Sequence, residues 1–386
     1  MPTYLDANAT TQISSSARDA MVNALNVGPL NPSSAHSSGE QARKLLTAAR
    51  DDAAKLFGDI FPEDVIFTSG GTEGNWIAIQ TFLRLGDTQL ISSQIEHPSV
   101  ANPISTTRNN VLIGVDARGH VKLKELSEAL TSSALPTMVS VQWVNSETGV
   151  IQPITEIVQL VRDIRPEAFI HVDAAQAVGR VPLDFEGIDF ATCSAHKLHG
   201  PHGIGLLYVS DHAVERLPGY MNGAGQERGI RPGTENVPAA IGMAAAFTER
   251  AENFDQHNAY MQTLRDAFET ALKSRLPNIR INGENSPRVG NTSNVCFPGH
   301  DAMALIAALD ANDILCSFGS ACSSGKPEPS KTLLAMGLSE TDAYCSVRFS
   351  VSIMNTESEI EEAAQVISRV VRDFNDNNGR GIQRTI

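Results

Sequence analysis

Val65-Ile66-Phe67-Thr68-Ser69-Gly70-Gly71-Thr72-Glu73-Gly74-Asn75 carries a short apolar strand through a glycine turn into a helix beginning near Thr72. Further apolar runs follow at 89–92, 111–115, 137–144, 169–172, 190–193 and 204–209. Helical spacings lie between several of them, as at 122–130 and 154–163. Upstream, Ala42, Leu45, Leu46, Ala49, Ala53 and Leu56 recur three and four residues apart, which predicts a helix over 39–57 closed by Gly58. Strands and helices alternating at this spacing predict an α/β fold with a mostly parallel sheet flanked by helices.

Beyond about Pro238 the texture changes. One long helical stretch is expected over 238–273, then short strands at 279–281 and 293–297, a helix at 301–310, a Gly/Ser-rich loop at 317–325 and a strand at 345–351. This reads as a smaller α+β domain. We expect a large domain over 14–255 and a small one made from 1–13 and 256–386, with a polar tail from Asn375 to Ile386 that frays at its end.

The chain has 386 residues, 41% hydrophobic and 19% charged, the balance of an ordinary globular protein. Its net charge of -14 disfavours direct binding to nucleic acid or an anionic membrane. No apolar run approaches the roughly 20 residues of a membrane span. Met1-Pro2-Thr3-Tyr4-Leu5-Asp6 lacks the basic and apolar segments of a signal peptide. Five cysteines, at 193, 296, 316, 322 and 345, are scattered without CxxC spacing. Reduced thiols in a cytoplasm are therefore expected, and no metal site.

Candidate chemistry gathers at predicted strand ends. Phe169-Ile170-His171-Val172 closes on Asp173, with Gln176 three residues on. Open α/β sheets bind ligands there, although Asp173 also fits a helix cap. Lys197 lies in Cys193-Ser194-Ala195-His196-Lys197-Leu198-His199-Gly200-Pro201, between small or hydroxyl residues and a Gly-Pro breaker. A buried amine and a strand-end carboxylate are what pyridoxal 5'-phosphate needs, one for a Schiff base and one to keep the ring nitrogen protonated. Each alone also reads blandly, Lys197 as a surface lysine. The Ser69-Gly70-Gly71-Thr72 turn suits a phosphate at a helix start, or is simply a turn. His97, in Glu96-His97-Pro98-Ser99, suits ring stacking or proton transfer, or is a loop histidine. The polar segment Gln226 to Asn236, with Arg228 and Arg231, meets an anion, a partner subunit or only solvent.

Together these segments resemble the class V, fold-type I pyridoxal-phosphate enzymes, and within them the cysteine desulfurases of the NifS/IscS kind. The likeness runs from Tyr4-Leu5-Asp6-Ala7-Asn8 to Val347-Arg348-Phe349-Ser350, through SGGTEGN, EHPSV, VNSETGVIQPI, HVDAAQAVG, SAHKLHGPHGIG, GAGQERGIRPGTEN and SFGSACSSG. It implies a fold-type I transferase with a seven-stranded large-domain sheet. Lys197 would hold the cofactor, Asp173 its ring nitrogen and Gln176 its ring hydroxyl, and His97 would stack on the ring. Gly71, Thr72, Ser194 and His196 would hold the phosphate, with Thr234 supplied across a homodimer. Arg348, Ser146 and Asn8 would bind the carboxylate of L-cysteine. Cys322 would accept the sulfur as a persulfide, in a small-residue loop similar to that of the group I desulfurases. Alanine is the other product. A sulfur-acceptor protein is implied, serving iron–sulfur assembly, tRNA thiolation or DNA phosphorothioation. Two other readings compete: a class V aminotransferase or lyase without persulfide chemistry, and a non-catalytic scaffold.

The chain departs from this pattern in three places. Ser146 replaces the second asparagine of VNNETG, Val351-Ser352 replaces Leu-Gly, and Trp76 replaces an asparagine and is expected to pack its helix on the core.

Overall fold

The computed structural model describes residues 2–58, 60–217, 219, 221–319 and 328–381, with side chains in the last helix described as far as residue 374. Cys322 lies outside the described residues. The chain begins with β1 (Thr3–Tyr4) and a helix at Ser15–Asn26. The predicted helix forms as Ser37–Leu56, burying Ala42, Leu46, Ala49, Ala53 and Leu56. It stops where Gly58 takes a φ of +91°, a conformation glycine adopts without strain.

Seven strands then make one sheet: β2 (Val65–Thr68), β3 (Gln89–Ser93), β4 (Asn110–Ile113), β5 (Thr137–Gln142), β6 (Phe169–Asp173), β7 (Phe190–Ser194) and β8 (Gly205–Val209). Their order is β2-β8-β7-β6-β5-β3-β4. The run from β7 to β4 is parallel, and β8 pairs antiparallel with both β2 and β7. β3, β5, β6, β7 and β8 are buried at every position, which is why they read as continuous apolar runs without alternation. The carboxyl ends of β2, β3, β5, β6 and β7 therefore share one edge, and the site lies there. Gly205 is required beside it: a Cβ would stand 2.4 Å from the Cys193 carbonyl oxygen and 2.7 Å from the Gly70 Cα.

The rest of the chain adds β9 (Arg280–Ile281), β10 (Thr292–Cys296), β11 (Ile314–Leu315) and β12 (Ser346–Ser350). β12, β10 and β9 form an antiparallel sheet, and β1 pairs with β11. Leu5 packs in one apolar cluster with Phe268, Phe349 and Ile367. Leu333, Met336 and Ala343 join the cluster beneath the large sheet instead.

Two expectations need correction. The stretch 238–273 is two helices, Val237–Glu252 and Phe254–Arg275. They break at Asn253, whose Nδ2 caps the Glu249 carbonyl at 2.9 Å. Trp76 is 42% exposed and does not pack into the core; its helix buries the opposite face through Ile77, Ala78 and Phe82. The helix Glu357–Gly381 runs into the polar tail, whose end at 382–386, expected to fray, lies outside the described residues.

Candidate active site

A cavity of about 400 Å³ opens at the carboxyl edge of the large sheet. Lys197 reaches it from a 3-10 turn, Ala195–Lys197, directly after β7. Its Nζ donates to the carbonyl oxygens of Asn8 and Ala9, the latter at 2.8 Å. Burial, together with the charges of Arg348 and Arg180, brings the amine down to about 8. A sizeable neutral fraction, able to attack an aldehyde, is then present near neutral pH.

Asp173 ends β6 and is 7% exposed. Its Oδ2 accepts from Asn75 Nδ2 at 2.9 Å, and its Oδ1 from the Ala175 amide at 3.0 Å. It thus caps a turn, not the helix that the sequence suggested, and it faces the cavity. Asn75 spends its whole hydrogen-bonding capacity here. Its Nδ2 also donates to Ser99 Oγ at 2.9 Å, and its Oδ1 accepts from Thr192 Oγ1 and lies 3.0 Å from His171 Nε2. His171 is completed by Ser140 Oγ at 2.7 Å from Nδ1, and burial lowers it to about 4, so it stays neutral. A carboxylate held by a saturated network has little freedom to turn.

The same network reaches His97. Ser99 Oγ lies 2.7 Å from His97 Nδ1, and the histidine caps the helix Pro98–Ser105. The ring is open to the cavity, yet the surrounding walls lower its pKa, with Lys197 adding to the effect and Asp173 opposing it. His97 is consequently neutral at pH 7. Beside it, Glu96 Oε2 is buried without a hydrogen-bond partner, and burial raises that carboxyl to about 8.

Gly71 and Thr72 start the helix Gly71–Leu83 at the cavity wall, and the Gly71 amide donates to Ser194 Oγ at 2.7 Å. His196 lines the same end, its ring stacked on His202 at 5.2 Å. Burial and the neighbouring Lys197 charge lower His196 to about 4. Helix N-terminal amides, hydroxyls and an imidazole make an anion cradle. Thr234 is not part of it within one chain: it lies with Arg231 in a separate pocket of about 140 Å³.

The opposite wall belongs to Arg348, 4% exposed on β12. Its guanidinium donates to Asp6 Oδ1 at 2.6 Å and to the carbonyl oxygens of Ser146 and Gly319, both at 3.2 Å. Nε is buried without a partner. Asn8 Nδ2 donates to the Ser146 carbonyl at 3.1 Å and to Thr292 Oγ1 at 2.8 Å. Gln176 lines the cavity, but its Nε2 donates to the Asn8 carbonyl at 3.0 Å, and its Oε1 accepts from Arg180.

Eleven of the expected site residues therefore meet in one cavity: Asn8, Gly71, Thr72, His97, Ser146, Asp173, Gln176, Ser194, His196, Lys197 and Arg348. Four more take part that the sequence reading passed over: Asn75, Glu96, Glu147 and Arg180. Asn75 carried a usable signal, a polar residue on the inward face of a helix that otherwise presents Gly74, Ile77 and Ala78. Among the described residues, no cluster suits a metal ion and no helix is long and apolar enough to cross a membrane.

Residues 3–362 match the aminotransferase class-V family. The chain belongs to that family. Among its relatives, a cysteine desulfurase of Trichormus variabilis is 40% identical over 95% of the chain and 92% of its own length. The solved NifS-like protein of Rickettsia africae superposes with a TM-score of 0.87 at 34% identity, covering 96% of the chain and all of that protein. SspA, solved in complex with cysteine, gives a TM-score of 0.77 at 28% identity over 92% of the chain and 99% of its own. Class-V membership and these relatives agree with the mixed α/β architecture and with enzymatic desulfurisation of cysteine.

Proposed function

We propose that the chain is a pyridoxal-5'-phosphate-dependent cysteine desulfurase that yields alanine and leaves the sulfur on Cys322 as a persulfide. The observation that carries this reading is the convergence of Lys197, Asp173 and the Gly71–Ser194 cradle on one cavity. The residues fit the cofactor's three demands. An amine brought down to about 8 suits its aldehyde, a fixed carboxylate suits its ring nitrogen, and the amides of a helix start suit its phosphate. When bound, the cofactor stores the electron pair released at the substrate Cα.

The chain's own groups do the rest. Arg348 holds the substrate carboxylate with the donors that its backbone partners leave free. Lys197 Nζ takes the Cα proton and returns it. The Cys322 thiol, at about 8.5 when unperturbed, must lose a proton before it attacks, and the His97 ring that faces the cavity is the acceptor we assign. A sulfur–sulfur bond then forms as the substrate's carbon–sulfur bond breaks, and the electrons of that bond stay with the carbon product. Division into 14–255 and a small domain of 1–13 with 256–386 is supported by the apolar cluster joining Leu5 to Phe349. A homodimer placing Thr234 in the partner's site, and a protein acceptor for the sulfur, complete the proposal.

Borohydride reduction of cofactor-loaded protein tests it. A stable adduct on the Lys197 peptide is expected, with alanine and sulfide released one to one from cysteine under reductant. Cys322→Ala should retain the cofactor absorbance and lose turnover on the order of 10³-fold. Full turnover by that variant removes Cys322 from the reaction, and an unmodified Lys197 defeats the whole reading.

A further inference from the structure

Glu147 is a buried acid that the chemistry above does not use. It is 7% exposed, in the turn after β5, and it lines the cavity. Asn145 Oδ1 accepts from the Glu147 and Thr148 amides at 3.0 and 2.9 Å, which fixes the turn. The carboxylate then crosses to the other side of the cavity. Ser330 Oγ donates to Glu147 Oε2 at 2.5 Å, and the Thr332 hydroxyl also bonds the group. Gly319 leaves room for it on the other side: a Cβ added there would lie 3.0 Å from the same Oε2, and Gly319 has a φ of +101°. This oxygen thus accepts from residue 330 and lies beside residue 319, and the two residues bracket Cys322 in the chain. Arg348 closes the arrangement, donating to the Gly319 carbonyl at 3.2 Å; burial pushes the Glu147 carboxyl up, and the Ser330 bond and the Arg348 charge oppose that shift.

We propose that Glu147 is a positioning residue that ties the two stems flanking Cys322 to each other and to Arg348. This rests on the desulfurase reading. Burying a carboxyl costs several kcal/mol unless it is well bonded, so a satisfied one at this junction is a specific structural choice. Fixing the stems narrows the volume open to the thiol and raises its effective concentration at the substrate sulfur. A misplacement of about 1 Å in such a system costs on the order of 10²-fold in rate.

Glu147→Ala, Glu147→Gln and Ser330→Ala, each loaded with cofactor, separate positioning from simple support. In Glu147→Ala, kcat for alanine should fall roughly 10- to 100-fold with KM within about threefold. The cofactor spectrum and its change on adding cysteine should persist, while single-turnover persulfide formation on Cys322, followed by mass spectrometry, slows with kcat. Glu147→Gln keeps an acceptor for Ser330 and should restore most of the rate. Ser330→Ala should show a partial loss that does not add to that of Glu147→Ala. Persulfide formation at the wild-type rate in either alanine variant overturns the proposal. So does loss of the cysteine-induced spectral change together with kcat, because Glu147 would then serve substrate binding or the fold. Should Glu147→Ala not fold, Ser330→Ala decides on the same two readouts. Wild-type protein that forms no persulfide overturns the desulfurase reading instead, a separate outcome.

Discussion

The two walls of the cavity are built on different plans. The wall from the large sheet takes its groups from residues 71–197, and their polar side chains bond mainly to one another: Asp173 to Asn75, Asn75 to His171 and Thr192, Gly71 to Ser194. The facing wall gathers Asp6, Asn8, Ser146 and Arg348 from distant stretches and bonds largely to backbone carbonyls. A saturated side-chain network fixes a rigid platform for a ring. Carbonyl partners, each with a second lone pair, leave a guanidinium able to exchange one acceptor for another. Under the proposed function, the first wall would hold the resident group and the second would receive the transient one.

Replacing the fork on the second wall is the strongest way to break this contrast. Arg348→Lys keeps the charge and loses the planar donors, so KM for cysteine should rise roughly 10- to 100-fold while the cofactor spectrum is unchanged. A spectral change in the empty enzyme would show that the walls are not independent. The first wall is tested by pH. Because Lys197 sits at about 8, the rate of pyridoxal-phosphate capture should rise about tenfold per pH unit below that value and level off above it. The sign follows from burial disfavouring the ammonium form, so the reactive neutral amine appears earlier than for an exposed lysine. A rate still climbing past pH 9 would mean that the amine is unperturbed. The smallest effect is expected at position 146, where the backbone carbonyl already serves Asn8 and Arg348. Ser146→Asn should lower KM only about two- to threefold, and an unchanged KM would make the serine neutral.

This division also governed what the sequence could reveal. Strands β2, β3 and β5 to β8 were legible because burial on both faces turns each into an apolar run, and Asp173 and Lys197 stand at or just past the ends of such runs. Their network was not, since the link from Asn75 to Asp173 spans 98 residues and depends on strand order. The Asp6–Arg348 pair is more distant still, and Glu147 looked like one letter of a turn motif. The break at Asn253 was hidden because helix formers flank it on both sides. The exposure of Trp76 is set by its helical phase, which the replacement of an asparagine does not by itself disclose.

One pairing has a consequence for biosynthesis. The stretch Leu5–Asn8 hydrogen-bonds to Ser350, a residue translated 342 positions after Asn8. The carbonyls that hold the Lys197 amine, and the carboxylate that faces Arg348, therefore settle only after the ribosome has passed residue 350. A nascent chain carries Lys197 early and lacks the docking point of its amine until late, so the pocket that the proposed cofactor would occupy is completed late.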